Sequence, residues 1–126
     1  MKPSIFDFIN EISAQTKANL ISWEKHSEMP YAYFFQYFKD NDLIQVVLDT
    51  YDAVFKDALA KCINFSVVNL NKNIVHHEVV RCKNSDGKFL EEYKKLNDLY
   101  SLCKQNFEAR NQAMNQIGIP LNQISV

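Results

Sequence analysis

The clearest hydrophobic pattern lies near the end of the chain, between Lys88 and Ile117. The apolar residues of this segment recur at steps of three and four positions, which places them along one side of an α-helix. They are Phe89, Tyr93, Leu96, Tyr100, Cys103 and Phe107. Turn-forming residues at 84–87 precede the segment, and Gly118 follows it as a helix-ending residue. The pattern predicts one long C-terminal helix, along which the preceding segments pack.

A second helical pattern begins near the N-terminus. Ser4 and Asp7 have the spacing of a capping box, in which each side chain accepts a hydrogen bond from the backbone N–H of the other residue. Apolar positions then continue at helical spacing as far as Trp23. The sequence therefore predicts a first helix over about residues 5–27.

An unusually aromatic segment follows Pro30, because six of the eight residues from 31 to 38 are aromatic. They are Tyr31, Tyr33, Phe34, Phe35, Tyr37 and Phe38. The preceding proline and the polar residues that follow slightly favour a short helix. The alternation also fits a strand, with Tyr31, Tyr33, Phe35 and Tyr37 on one side and Ala32, Phe34 and Phe38 on the other. The segment either fills the core or binds another protein, since Tyr and Phe are enriched in protein interfaces.

The region from residue 40 to residue 82 is predicted to be mostly helical. Asp40, Asn41 and Asp42 are candidate N-caps for a third helix, whose apolar residues continue at steps of three and four to Cys62. Residues 63–82 are rich in β-branched side chains and are interrupted by asparagines, so two structures compete there. We favour a fourth helix in this stretch over a β-hairpin formed by residues 64–70 and 74–82.

Composition supports the helical interpretation. The chain has 126 residues, of which 47% are hydrophobic and 23% charged, and it has only two glycines, which suits helices joined by short connections. We therefore expect an all-α fold with one domain over residues 1–126, built as a bundle of four to five helices, with a frayed tail at 118–126. The alternative is an α+β fold with a small hairpin at about residues 64–82.

Charge and cysteine content bear on partners and compartment. A formal net charge of −1 and only two arginines argue against a nucleic acid as the partner. The sequence shows neither a signal peptide nor a membrane span, so we expect a cytoplasmic protein without a membrane partner, with signal-independent secretion left open. Cys62, Cys82 and Cys103 have no CxxC spacing, which indicates buried thiols in a reducing compartment.

The histidines do not form a recognisable metal motif. They are His26, His76 and His77, and the adjacent pair points in different directions on a helix and to opposite faces on a strand. A transition-metal site needs three or more converging ligands, and the sequence contains neither HExxH nor a Glu-x-x-His pair. We expect no metal and no cofactor.

Arg110 occupies a position at which the apolar repeat of the last helix expects a hydrophobic side chain. In one interpretation its aliphatic part packs along the flank of the helix while its charge reaches solvent. In the other, Arg110 and Asn111 form a polar site together with His76 or His77. The second interpretation requires these side chains to converge in the folded chain.

The pair Arg110-Asn111, late in a long helix, resembles the start of the RNxxxxH motif of HEPN-domain ribonucleases, which are small helical bundles. Where that motif has its histidine, this chain has Asn115 or Gln116. The resemblance implies an active or degenerate enzyme of HEPN-like type, with a polar site around Arg110.

The sequence as a whole favours a non-enzymatic interaction module over such an enzyme. We expect a small protein that binds another protein through the aromatic segment, as an adaptor, chaperone, inhibitor or immunity protein does. A flat apolar surface would equally suit a homodimer. The bias toward asparagine and lysine is typical of microbial or viral genomes that are rich in A and T.

Overall fold

The computed structural model describes residues 4–55 and 57–116 of the chain. This part of the chain forms α1 (Ile5–Lys17), β1 (Glu24–Lys25), β2 (Tyr33–Lys39), β3 (Asp42–Phe55), β4 (Ala58–Asn69), β5 (Ile74–Cys82) and α2 (Gly87–Gln116). The strands form one antiparallel sheet in the order β1-β2-β3-β4-β5. One cluster of buried side chains joins both helices to the same face of the sheet, so the fold is a two-layer α+β structure.

The predicted all-α bundle of four to five helices is wrong, because most of the chain between residues 33 and 82 folds as strands. The predicted third helix corresponds to β3 and the start of β4. Both faces of β3 carry apolar side chains, since Val46, Val47 and Leu48 follow one another and are all buried. Apolar residues on both faces hide the alternation of a strand, and their spacing then fits a helix as well.

The aromatic segment is strand β2 and not the favoured short helix. Residues 33–38 alternate between the two faces as the strand interpretation predicts, while Tyr31 lies before the strand. Phe35 pairs with Val46 and Tyr37 with Ile44 on the face that the helices cover, while Phe34 pairs with Val47 on the other face. A strand suits this segment because aromatic side chains pack well on a pleated surface.

Two tight turns explain how the chain makes its hairpins. Asp40 and Asn41 join β2 to β3 with φ angles of 53° and 69°, which is the left-handed geometry of a two-residue type I′ turn. These residues form the hairpin in place of the predicted N-cap. The alternative hairpin at 64–82 is confirmed as β4 and β5, whose turn ends at Asn73 with a φ of 55°.

Helix α1 ends at Lys17, ten residues earlier than the predicted end at about residue 27. The capping box at its start is confirmed, because the Asp7 N–H donates to Ser4 Oγ at 3.2 Å and the Ser4 N–H donates to Asp7 Oδ2 at 2.8 Å. Past the helix, Asn19 has a φ of 59°, which turns the chain back toward the sheet. Trp23 then enters the core, where its indole N–H donates to Thr16 Oγ1 at 3.0 Å.

The predicted C-terminal helix is confirmed as α2, which has 30 residues. At about 1.5 Å per residue it is about 45 Å long, and it buries Tyr93, Leu96, Leu99 and Cys103 against the sheet and α1. The predicted frayed tail at 118–126 lies outside the described residues. Neither described helix has a stretch that is both long and apolar enough to cross a membrane.

Cys62 and Cys82 form a disulfide between the neighbouring strands β4 and β5, which corrects the expectation of free thiols. The two residues lie directly opposite each other, with their Cα atoms 4.0 Å apart. Lys83 donates its N–H to the Lys61 carbonyl at 2.8 Å, so the cysteines occupy the adjacent non-hydrogen-bonded pair, where Cα atoms approach most closely. Cys103 is a free, buried thiol.

Candidate interaction site

The six aromatic residues of segment 31–38 have different surroundings. Tyr33 is 4% exposed and belongs to the core. Its ring centroid lies 5.5 Å from that of Tyr100 and 6.0 Å from that of Phe107, both on α2. Tyr33 therefore holds α2 on the sheet and is out of reach of an external partner.

Phe35 and Tyr37 are half-buried on the helix side of β2. The Phe35 ring meets the Trp23 ring edge to face, with centroids 4.7 Å apart, and stacks on Tyr37 at 6.1 Å. Burial raises the pKa of Tyr37, so its hydroxyl stays protonated at neutral pH. These two rings present an apolar surface beside α1.

Tyr31, Phe34 and Phe38 point elsewhere. Phe34 lies on the face away from the helices, with its ring centroid 5.6 Å from that of His26, and Phe38 is 75% exposed. Tyr31 precedes β2 and is 63% exposed, and its carbonyl accepts a hydrogen bond from the Tyr100 hydroxyl at 2.8 Å. Burial raises the pKa of Tyr100 to about 12, which keeps that hydroxyl a donor.

Strand β1 covers only one end of β2. Glu24 pairs with Phe34 and Lys25 with Tyr33, and the pairing stops there. Two of the seven residues of β2 thus have a strand on their outer side, which leaves five, residues 35–39. Within the described chain these five form an open sheet edge.

The backbone groups at this edge can be assigned from the alternation of an antiparallel strand, in which successive residues point their N–H and C=O groups to opposite sides. The His26 N–H donates to the Ala32 carbonyl at 2.9 Å, so Ala32 points its groups toward β1. The backbone groups of Phe34, two residues on, point to the same side of β2. Those of Gln36 and Phe38 point to that side as well, where β1 no longer lies opposite them. The N–H and C=O groups of Gln36 and Phe38 therefore face the open edge.

Two side chains of α2 hold the segment before β1 away from β2. Asn106 accepts a hydrogen bond from the Trp23 N–H at 2.9 Å and donates one to the Ile21 carbonyl at 3.0 Å. Arg110 donates to the Trp23 carbonyl and to Glu24 Oε1, the latter at 2.9 Å. By the same alternation, the Trp23 groups that α2 binds point away from β2. These bonds therefore fix the path of the segment from its outer side, and its pairing with β2 ends at Glu24.

A groove of about 800 Å³ runs beside the open edge, between α1 and β2. We call it the α1–β2 groove. Its apolar lining comes mainly from Phe8, Ile12, Leu20, Ile21, Phe35 and Tyr37. Charged side chains lie along its rim, with Glu11 on α1, Glu24 on β1 and Lys39 at the far end of β2. The groove thus offers apolar contacts for side chains that approach along the edge.

The structure does not bring the predicted polar site together. Arg110 lies beside β1, with its guanidinium 5.9 Å from the centroid of Phe107, and the neighbouring Asn111 is half-buried. His76 and His77 lie on β5, at the opposite edge of the sheet. Four interstrand spacings of about 4.8 Å separate β1 from β5, which puts the two parts of the site about 19 Å apart.

His76 and His77 instead line a second groove, of about 820 Å³, near the turns at 40–41 and 70–73. Asn69 donates to Asp42 Oδ2 at 2.9 Å, and the Lys72 ammonium lies 3.4 Å from the same atom. The hydrogen bond from Asn69, followed by the charge of Lys72, lowers the pKa of Asp42. This arrangement ties the two hairpin ends together, which is a structural role.

The other edge of the sheet, β5, differs from the edge of β2. Its register against β4 shifts between Val67 and Val68, which is a bulge. Exposed polar side chains follow that point on β5, namely His76, His77 and Glu78. Bulges and charged residues are features that discourage edge-to-edge pairing, and residues 35–38 of β2 have neither.

The described part of the chain offers little support for a catalytic site or a metal site. No group of three His, Cys, Asp or Glu side chains is placed there to hold a metal ion. Burial raises the pKa of the Cys103 thiol strongly, so this residue is not a thiolate nucleophile at neutral pH.

The sequence pattern identified the aromatic segment as a binding element, but it did not predict that this segment lies at an open edge of a sheet. The missing information is that β1 has only two residues, which depends on long-range contacts of Asn106 and Arg110 with Trp23. The adjacent Asp40 and Asn41 were an available signal for the hairpin, because both residue types tolerate left-handed geometry.

Comparisons with protein-family models, curated proteins and solved structures gave no match to this chain.

Proposed function

We propose that this protein is an interaction module that binds another protein chain by adding a strand to the open edge of β2. The observation that carries the proposal is the exposed row of backbone N–H and C=O groups at Gln36 and Phe38. An extended segment of a partner would satisfy these groups through main-chain hydrogen bonds. The proposal keeps the aromatic segment as the binding element and gives it a defined mode of recognition.

Side chains beside the edge would supply the rest of the contact. Phe35 and Tyr37 line the α1–β2 groove on one face, and Phe38 is exposed on the other. An added strand presents alternate side chains to the two faces, so one set would enter the groove and the other would lie beside Phe34 and Phe38. Tyr31 extends the exposed aromatic surface at the start of β2.

The enzyme alternative has weaker support. HEPN-domain ribonucleases are helical bundles, and this chain is a sheet with two helices on one face. Arg110 binds the backbone of Trp23 and the carboxylate of Glu24, which accounts for its position in α2 without a substrate.

A cytoplasmic location stays part of the proposal, and the disulfide makes it testable. Disulfides persist in oxidising compartments and are rare in the cytosol. In protein taken from its native host under alkylating conditions, modified Cys62 and Cys82 would support a cytoplasmic location. An intact bond between them would instead support an exported protein.

A proline scan of the two sheet edges tests strand addition. Gln36→Pro removes an N–H that points to the open edge and breaks no bond to β3, so the fold should survive. Captured partner should decrease at least about tenfold, because one backbone bond is lost and the added strand is displaced.

Val80→Pro is the matched control, since Val80 points its N–H away from β4 at the other edge. This variant should retain the partner, and circular dichroism should show the same fold for both variants. Undiminished capture by a folded Gln36→Pro protein would contradict strand addition at β2.

A further inference from the structure

We propose that the chain bound at the open edge is a second copy of this protein, with the two β2 strands paired antiparallel about a two-fold axis at Tyr37. This inference rests on the proposed function and names its partner. The resulting dimer would have one continuous sheet with all helices on the same face.

The first support is register. Residues that exchange backbone hydrogen bonds across the axis must be the ones that point outward, which are Gln36 and Phe38. Pairing Gln36 with Phe38 of the second copy satisfies the groups of both residues in both copies. Tyr37 then faces Tyr37 of the second copy as the non-hydrogen-bonded pair between them. The strand is thus complementary to itself in this register.

The second support is length. In this register Phe35 lies opposite Lys39 of the second copy, and Lys39 opposite Phe35, so the paired segment covers residues 35–39. The chain of the second copy turns away at its Asp40 and Asn41, where the type I′ turn begins. In this register Asp40 of the second copy comes opposite Phe34, the position at which β1 occupies the edge, so Lys39 is the last residue that can pair. The five free residues of one copy therefore pair with the same five residues of the other.

The third support is charge. Glu24 and Lys39 lie at opposite ends of the free edge within one molecule, and both line the α1–β2 groove together with Glu11. Antiparallel pairing reverses the direction of the second strand, which brings its Lys39 beside Glu24 and the rim of the groove. Glu24 is already paired with Arg110 of its own molecule, so the carboxylate left for the cation of the second copy is that of Glu11.

The groove also suits the side chains that the second copy would bring. Phe35, Tyr37 and Lys39 of an added β2 strand project to the helix side, where the apolar residues of the groove and its acidic rim lie. The β5 edge lacks this combination, since a register shift interrupts its pairing with β4. A dimer through β2 is therefore favoured over one through β5.

Analytical ultracentrifugation of the full chain measures the assembly. We expect a mass of twice 14.7 kDa. Gln36→Pro should weaken dimerisation about thirtyfold, because it removes one hydrogen bond donor from each copy. Val80→Pro should leave dimerisation unchanged. Tyr37→Lys serves as a second variant, because it places like charges face to face at the axis without altering the backbone. It should also weaken dimerisation.

Cysteine cross-linking tests the register. Tyr37→Cys should form an intermolecular disulfide on mild oxidation, because the two positions face each other across the axis. Phe35→Cys is the matched control on the same strand and face, and it should not cross-link, since it faces Lys39 of the second copy. Peptide mapping distinguishes the new bond from Cys62–Cys82 and from Cys103.

Each contrary result has a distinct meaning. If the protein is a monomer, and the Gln36→Pro variant no longer captures another protein that the wild type captures, the bound chain is not a second copy. Strand addition at β2 would then still hold. A dimer whose affinity is unchanged by Gln36→Pro and by Tyr37→Lys, and which gives no cross-link at position 37, overturns this interface. A monomer whose Gln36 and Phe38 amides already resist hydrogen exchange would show that a segment of the same chain covers the edge, which contradicts both proposals.

Discussion

At the scale of single residues, Asp49 shows that the sheet face away from the helices is partly desolvated. It lies on β3 opposite Asn64, and burial is the main cause that raises its pKa above the ordinary value of 3.8. A carboxylate that is costly to ionise in the folded state destabilises the fold at neutral pH. The neighbouring Val47 is 8% exposed on the same face, which fits a partly dry surface.

Asp49→Asn should therefore raise the melting temperature at pH 7. The folded state binds the proton of Asp49 more tightly than the unfolded state, so the stability this provides is present below pH 3.8 and is lost as pH rises through the folded pKa. The difference between variant and wild type should consequently shrink as pH falls toward 3. Thermal melts across this range measure it, with the exposed Asp52→Asn on the same strand as control. A gain at pH 3 equal to that at pH 7 would contradict the assignment.

At the scale of elements, the disulfide joins β4 to β5 and closes a loop with a sequence separation of 20 residues. A crosslink of this span stabilises a fold by about 3 kcal/mol, mainly by restricting the unfolded chain. Reduction should thus lower the melting temperature by about 10 °C, given the entropy of unfolding of a domain of this size. A Cys103→Ala variant, melted with and without reductant, should show the same difference, since that thiol takes no part in the bond.

The elements also show how far sequence patterns reach. Helix α2 and the capping box at Ser4 could be predicted, because each depends on contacts within a few residues. Strand β3 could not, because Val46, Val47 and Leu48 are buried on alternating faces and leave no polar side to reveal the period. The turn at Asp40 and Asn41 offered an N-cap and a hairpin equally, and only the pairing of β2 with β3 decides between them.

The same limit applies to the candidate site. The aromatic segment is visible in the sequence, but its division into core and surface depends on which face α2 covers. Tyr33 is buried under Tyr100 and Phe107, while Phe38 stays exposed only five residues later. The open edge depends on α2 as well, because Asn106 and Arg110 stop β1. Contacts more than eighty residues apart in the chain thus decide the site.

At the scale of the whole molecule, α2 links the stability of the fold to the availability of the edge. Asn106 and Arg110 bind the backbone of the Trp23 segment, so they stabilise the fold and at the same time keep that segment from pairing with β2. Hydrogen bonds of this kind contribute about 1 to 2 kcal/mol each. Replacing both residues frees this segment to continue the register of β1, in which Ser22 would lie opposite Gln36 and exchange backbone hydrogen bonds with it.

The double variant Asn106→Leu, Arg110→Leu should therefore lose dimerisation although it leaves β2 unchanged, because β1 would extend over the edge that a partner needs. Its melting temperature should fall by about 10 to 20 °C, because at least three of these bonds are lost. Hydrogen exchange reports the edge directly: the Gln36 amide should become protected in the variant monomer. Lys104→Leu, exposed on the same helix, controls for the added leucine. A destabilised variant that dimerises as tightly as wild type, with Gln36 unprotected in its monomer, would show that α2 does not keep the edge open.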